Sequence, residues 1–287
     1  MSRLGPETHR MHKIDVILPI YNESAMIGSV FSRVSVFSQK HPEFHFIFVD
    51  DGSDDDTADQ VESRLAAQDS PAIELVRSPM NLGKGNAIRR GIATSTAPLI
   101  GFTDGDLAYP LEDHMTPLLE GLSTSDVVIG SRSLDPRQQE NIQFKRRLMG
   151  RLFNMIVRLF LGLPYRDTQA GLKGFRRPVA QRIVDLGRIE NFAFDAEALY
   201  IATRSGCTIS EIPARVSSRH SYIGSTMNLI LDPIKMFASI IWIRVVHMGR
   251  RFSSVPHVDN DPPHEQAELE KPAGELHGSR DHAHAGR

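Results

Sequence analysis

Apolar and polar positions along the first 130 or so residues switch between two periods. Short apolar runs at 15–19, 44–49, 73–76, 98–103 and 126–129 are bounded by Gly, Pro, Asn and Asp, which predicts buried strands. Between them the spacing becomes helical. Ile27, Val30, Phe31, Val34 and Phe37 share one face behind Ser24 as a plausible N-cap; Ala58, Val61 and Leu65 share another; Ala87, Ile88 and Ile92 a third. A further helix is expected near 114–122. Such regular alternation predicts an α/β fold, a mostly parallel central sheet with helices on both faces.

The pattern then changes. Phe144 to Leu161 reads as a helix with Phe144, Leu148, Leu152, Met155, Ile156 and Leu159 apolar, and Lys145, Arg146, Arg147, Arg151 and Arg158 elsewhere. Residues 166–176 read as a polar loop, a helix is expected from Phe192, a strand at 208–213, and a basic, hydroxyl-rich loop at 219–226. The most apolar stretch, Met227 to Met248, is interrupted by Asp232, Lys235, Arg244 and His247. A bilayer crossing needs about 20 apolar residues, so an amphipathic helix that packs on the domain or lies on a membrane is expected there. Residues 1–13 are expected to be flexible, 14–226 to form the main domain with halves meeting near 132, 227–252 to hold the amphipathic helix, and 253–287 to be a disordered tail.

Composition narrows the class. The chain has 287 residues, 40% of them apolar, enough for one sizeable core. The lone Cys207 excludes an internal disulfide and suits a reducing compartment, and the polar start lacks the apolar centre of a signal peptide, so a cytoplasmic location is expected. The net charge of −2 hides segregation: between Arg137 and Arg182 eleven Lys or Arg face only Glu140 and Asp167, a local +9.

The candidate chemistry is acidic. Glu23, Asp50, Asp51, Asp104 and Asp106 all fall at the carboxyl ends of expected strands, where open α/β sheets bind ligands. Carboxylates so grouped repel one another unless a cation or a polar ligand lies between them. Asp104-Gly105-Asp106 alone reads most simply as a turn; in this company it suits a divalent cation, Mg²⁺ or Mn²⁺, shared with a substrate's phosphates. Gly83-Lys84-Gly85 fits neither common glycine-rich phosphate motif. Cys207 reads as a packing residue and the tail histidines as solvated.

Seven motifs together carry a resemblance. Pro19-Ile20-Tyr21-Asn22-Glu23, Val49-Asp50-Asp51-Gly52-Ser53, Asn81-Leu82-Gly83-Lys84-Gly85, Asp104-Gly105-Asp106, Gly130-Ser131-Arg132, Asp167-Thr168-Gln169 and Phe194-Asp195-Ala196-Glu197 resemble those of the inverting glycosyltransferases of family two, with the GT-A fold. The likeness is greatest to the branch that glycosylates dolichyl and other polyprenyl phosphates, and runs from about Ile14 to Val246. Two departures stand out. Gly105 replaces the usual Ala, which is expected to add flexibility, and Ala170-Gly171-Leu172-Lys173 replaces the usual Cys-Gly-Phe-Lys. The resemblance implies that Pro19, Tyr21, Glu23 and Asp51 hold the nucleotide's base and ribose, Lys84 lies by the base or its phosphate, Asp104 and Asp106 bind the sugar-nucleotide through the cation, and Arg132 faces the sugar or diphosphate.

The acceptor divides the readings. A hydroxyl must lose a proton during attack, and Asp195, then Asp167, is the candidate base; each could instead be held in an ion pair, with Arg166 or Lys173 as partner. A lipid monophosphate, with a second pKa near ~6, is already an anion and needs cations to gather it. Arg146, Arg147, Arg151 and Arg219 could supply them, which favours polyprenyl phosphate at an anionic, cytoplasmic membrane surface, the enzyme bound peripherally and with no role for nucleic acid. Overall similarity favours UDP-glucose over GDP-mannose. The rivals are a glycosyltransferase with a saccharide or small hydroxyl acceptor, a phosphohydrolase of the haloacid dehalogenase type, in which the acidic pair normally follows the first strand, and a non-catalytic nucleotide-sugar binding module.

Overall fold

The computed structural model describes residues 12–68, 70–136, 154–191, 193–217 and 231–255, the side chains of 231–236 excepted. In chain order the elements are β1 (Ile14–Ile20), α1 (Ile27–Lys40), β2 (Phe44–Asp50), α2 (Thr57–Ala67), β3 (Ile73–Arg77), α3 (Lys84–Thr94), β4 (Leu99–Thr103), α4 (Leu111–Thr124) and β5 (Val127–Ser131). They continue with α5 (residues 154–161), β6 (Leu172–Arg176), α6 (Arg177–Leu186), α7 (Phe194–Arg204), β7 (Ile209–Pro213) and α8 (Leu231–Val246).

The strands form a seven-stranded sheet in the order β3-β2-β1-β4-β6-β5-β7. The pairs β3/β2, β2/β1, β1/β4 and β5/β7 are parallel, and β6 runs antiparallel to both β4 and β5. Period-two alternation divides the core between the two faces. Val16 and Leu18 join Phe31, Phe46, Phe48 and Leu118 on one side, while Ile17 joins Ile47, Ala87, Phe102, Phe175 and Phe194 on the other. The strand order reverses between β1 and β4, the crevice where such sheets bind ligands.

The segment expected as a polar loop, 166–176, contains β6, a strand in the middle of the sheet. Its Leu-Lys-Gly-Phe-Arg sequence hides this because Lys173, fully buried, takes a core position through an ion pair that the sequence pattern does not show. The helix α1 begins after Met26 and not at a Ser24 cap; the Ser24 amide donates instead to the Asp55 carboxylate. The helix expected over Phe144 to Leu161 is described only from residue 154, and the expected 219–226 loop lies outside the described residues.

Gly105 does more than loosen a turn. A Cβ built there would collide with the carbonyl oxygen of Pro19 and stand 2.9 Å from Ile20 Cγ2, so the missing side chain is what lets the β4 turn close onto the end of β1. The same turn holds Leu107 at φ 51°, a left-handed conformation costly for a branched residue, and buries it completely. Gly105→Ala is therefore expected to lower the unfolding free energy by about 1–3 kcal/mol in urea titrations, the range of overpacking against an unyielding neighbour. An unchanged midpoint would mean that the two loops are not in contact.

Candidate active site

Three loops at the carboxyl ends of β1, β2 and β4 and one segment before α3 make the crevice. Asp51, buried, accepts hydrogen bonds from the amides of Leu82 at 3.1 Å and Gly83 at 2.7 Å, so it fastens the 81–85 segment to β2. The Gly85 amide donates to the Glu190 carbonyl at 2.7 Å, which ties the far side of that segment to the approach to α7. Gly83 has φ 95° and lies so close to the Glu190 carbonyl that a Cβ would stand 2.6 Å from it. Asp50 instead accepts from Ser53, through its hydroxyl at 2.5 Å and its amide at 3.3 Å, shaping the Asp-Gly-Ser turn.

The anchored segment delivers Lys84 to the acidic turn. Its ammonium donates to Asp104 Oδ1 at 2.7 Å and lies 3.5 Å from Asp195 Oδ2. Asp195 Oδ1 in turn accepts from the Lys173 ammonium at 2.5 Å, which also donates to the Ala170 carbonyl at 2.6 Å. Asp104, Lys84, Asp195 and Lys173 thus alternate in sign across four elements. Burial alone would lower the Lys84 pKa, but Asp104 and Asp195 outweigh it and raise it. For Lys173 burial prevails and the pKa falls, although Asp195 opposes the shift.

A second ion pair stands beside the first. Arg132 donates from Nε at 2.7 Å and Nη2 at 3.0 Å, and through its amide at 3.1 Å, to Asp167. Asp167 is kept below the usual carboxylate range by Arg132, against the upward pull of burial. Of the cations expected to pair with the two candidate bases, Lys173 does hold Asp195, whereas Asp167 is held by Arg132 and not by Arg166. Tyr109 lies between the pairs; burial raises its hydroxyl pKa, with Arg132, Asp104, Asp167 and Lys84 all near enough to act on it. Gly171 faces Asp104 so closely that a Cβ there would overlap the carboxylate.

Asp106 accepts from the Ala108 amide at 2.9 Å. Glu23 carries a buried Oε2 that meets no hydrogen-bond partner. Burial first, then the charges of Asp106, Asp104 and Asp55, push its pKa from the ordinary 4.5 up to about 8. The share of that shift owed to the neighbouring acids reflects negative potential in the crevice, and hard oxygen donors on one short turn are what a small divalent cation takes. No set of three His, Cys, Asp or Glu within reach of a single ion occurs among the described residues. Asp104 and Asp106 therefore fit a cation that completes its shell with water and a ligand's phosphates.

A cleft of about 600 Å³ opens at the carboxyl ends of β1, β2 and β3, lined by Tyr21, Asp50, Gly52, Ser53, Asp54 and Arg77 among others; Asp104 and Asp106 are not part of its lining. Sequence reasoning missed the support behind it. Glu197, buried, accepts from the amides of Arg188 and Ile189 at 2.9 and 2.8 Å, from Arg89 at 3.2 Å, and from or to His247 Nε2 at 2.9 Å. It fixes the segment whose Glu190 carbonyl receives Gly85, two residues along the same helix from Asp195. Its signals were membership of the Phe194-Asp195-Ala196-Glu197 motif, to which no role was given at Glu197, and a second acid in the first turn of a helix, which reads equally as dipole compensation. Arg146, Arg147, Arg151 and Arg219, the expected acceptor-phosphate residues, lie outside the described residues.

The family model described as "Glycosyl transferase family 2" matches residues 15–184. The chain belongs to glycosyltransferase family 2. It is an enzyme of that class, on a GT-A scaffold. It is 32% identical to the dolichyl-phosphate beta-glucosyltransferase of Dictyostelium discoideum over 243 residues, 80% of this chain and 73% of that one. It is 31% identical to the protein of the same name from Homo sapiens over 213 residues, covering 70% and 66%. Among solved structures it resembles glucosyl-3-phosphoglycerate synthase from Mycobacterium tuberculosis in complex with Mn²⁺, UDP and glucosyl-3-phosphoglycerate. There the TM-score is 0.54, with 21% identity over 82% of this chain and 79% of that one.

The Glu23 geometry predicts a pH effect. Between about pH 4.5 and about 8 the folded protein keeps a proton on Glu23 that the unfolded chain releases, so this group destabilises the fold progressively as pH rises through that window. Glu23→Gln removes the effect: its stability relative to wild type, from urea unfolding, is expected to grow from the acid to the alkaline end. A difference that stays constant with pH would contradict the buried, unneutralised carboxyl.

Proposed function

We propose that this glycosyltransferase moves glucose from UDP-glucose onto a polyprenyl or dolichyl phosphate, with inversion, at the cytoplasmic face of a membrane to which it binds peripherally. The observation that carries the acceptor class is the engagement of both candidate bases. Asp195 has one oxygen on Lys173 and the other near Lys84, and Asp167 is held through two side-chain hydrogen bonds by Arg132. A carboxylate so neutralised is a poor proton acceptor, so the chemistry suits a nucleophile that arrives already ionised. A phosphate monoester meets that requirement. The names of the curated relatives support the same acceptor.

In this reading the base and ribose occupy the cleft lined by Tyr21 and Asp50, with Pro19, Glu23 and Asp51 on the same two loops. Asp104 and Asp106 would hold Mg²⁺ or Mn²⁺; when bound, the cation would stabilise the negative charge of the departing diphosphate, worth several kcal/mol. Lys84 holds Asp104 in place and presents its own ammonium to the same diphosphate. Arg132, oriented by Asp167, adds a planar cation on the side of the sugar. Asp195 acts as a positioning residue, keeping Lys84 and Lys173 charged and apart. Glu23, its pKa pushed up by burial and by the neighbouring acids, stands beside the carboxylates that would hold the cation.

Two measurements test this. Thermal shifts with UDP-glucose and GDP-mannose, with and without Mn²⁺, are expected to show stabilisation by UDP-glucose only when the ion is present, and its loss in Asp106→Ala. Transfer of radiolabelled glucose is expected to a short-chain polyprenyl phosphate and not to free sugars or 3-phosphoglycerate. Glycosylation of the hydroxyl compounds alone would overturn the acceptor assignment and return Asp195 to the role of base.

A further inference from the structure

Two helices beyond the sheet leave large apolar side chains in water. On α8 and the turn that follows it, Phe237, Ile241, Val245 and Met248 recur at helical spacing with Trp242 alongside, while Ile240, Ile243 and His247 occupy the opposite stripe and are buried. Trp242 is 54% and Met248 75% exposed. On α5, Met155, Leu159 and Phe160 are exposed in the same way, Leu159 to 78%. The two groups join: the Phe160 and Phe237 rings meet edge-on at 5.4 Å, and Arg244 donates to the Phe160 carbonyl at 3.4 Å. Scattered apolar residues need no explanation, but a contiguous patch drawn from two touching helices does.

The charge around the patch selects the partner. Residues 154–166 and 237–255 contain no Asp or Glu, while Arg158, Arg166, Arg244 and Arg251 are exposed and Arg250 half-buried. An apolar stripe carrying an indole, with only cations among the charged residues of its own two segments, complements the headgroup region of an anionic bilayer, where Trp sits at the apolar boundary and Arg reaches phosphates. No helix among the described residues is long and apolar enough to cross a membrane, so the contact is with one leaflet. The patch is also rigidly joined to the catalytic domain. His247, at the end of α8, reaches Glu197, whose carboxylate holds the Arg188 and Ile189 amides and hence the segment that receives Gly85 beside Lys84.

We propose that the exposed faces of α5 and α8 form one surface that docks the enzyme on an anionic lipid leaflet. This deepens the peripheral attachment in the reading above and rests on it only for location; the acceptor is tested separately.

Trp242 is the sole tryptophan of the chain, so intrinsic fluorescence reports on the centre of the patch alone. The full chain is titrated with phosphatidylcholine vesicles, with or without phosphatidylglycerol and free of polyprenyl phosphate. A blue shift with the anionic vesicles is expected, weaker without phosphatidylglycerol. Ile241→Asp with Val245→Asp, both on the exposed stripe, is expected to weaken vesicle partition about tenfold or more while leaving the thermal transition and UDP binding unchanged. Arg158→Gln with Arg244→Gln is expected to abolish the preference for anionic lipid. The proposal is overturned if neither vesicle shifts the emission, or if the aspartate variant partitions as well as wild type. It is equally overturned if light scattering shows a dimer that the aspartates split and vesicles leave Trp242 unmoved, since a second copy would then cover the patch. Vesicle binding without transfer to short-chain polyprenyl phosphate would sink the acceptor assignment and leave the docking surface standing.

Discussion

The alternating row Asp104, Lys84, Asp195, Lys173 is the constraint on which the crevice depends. Each member comes from a different part of the chain: the turn after β4, the start of α3, the start of α7 and the middle of β6. Lys173 and Asp195 are buried and Lys84 nearly so, and such a row is stable only if its neighbours stay in register, because removing Asp195 or Lys173 leaves an uncompensated charge in a low-dielectric setting. The row therefore does more than add stability. It ties the middle of β6 to the start of α7, and both to the start of α3 and the turn after β4.

Around that row the backbone is drawn unusually close. Gly105 against Pro19, Gly83 and Gly85 against 189–190, and Gly171 against Asp104 are all approaches that a Cβ would block. Close packing of loops leaves little freedom for the acids, and Leu107 in a left-handed conformation shows that the turn is held there at some cost. Glu23 feels the electrostatic side of the same constraint: burial first, and then the charges of Asp106, Asp104 and Asp55, push its pKa up.

Much of this was legible in the sequence. Apolar runs set between helical spacings located β1 to β5, β7 and the helices α1 to α4 and α7, and acids after β1, β2 and β4 drew attention to that end of the sheet; α6, which follows β6 directly, was not expected. What stayed hidden was long-range pairing of charges. Lys173 lies in a stretch of Lys, Gly and Arg that reads as loop, because a buried lysine carries the same letter as a solvated one; its partner is 22 residues away. Arg132 and Asp167, 35 residues apart, are likewise invisible to local pattern. Glu197 looked like an ordinary helix-start acid although it joins His247, just past α8, to the stretch that receives Gly85. Gly105 was read as flexibility where the fold uses it for closeness.

A double-mutant cycle on Lys84→Met and Asp195→Asn, followed by chemical denaturation, tests the central constraint most directly. If the row acts as a unit, the two changes are coupled by more than about 1 kcal/mol, because the first removal already disturbs the balance that the second would break. Losses that add to within about 0.5 kcal/mol would show two independent contacts and contradict a shared electrostatic framework.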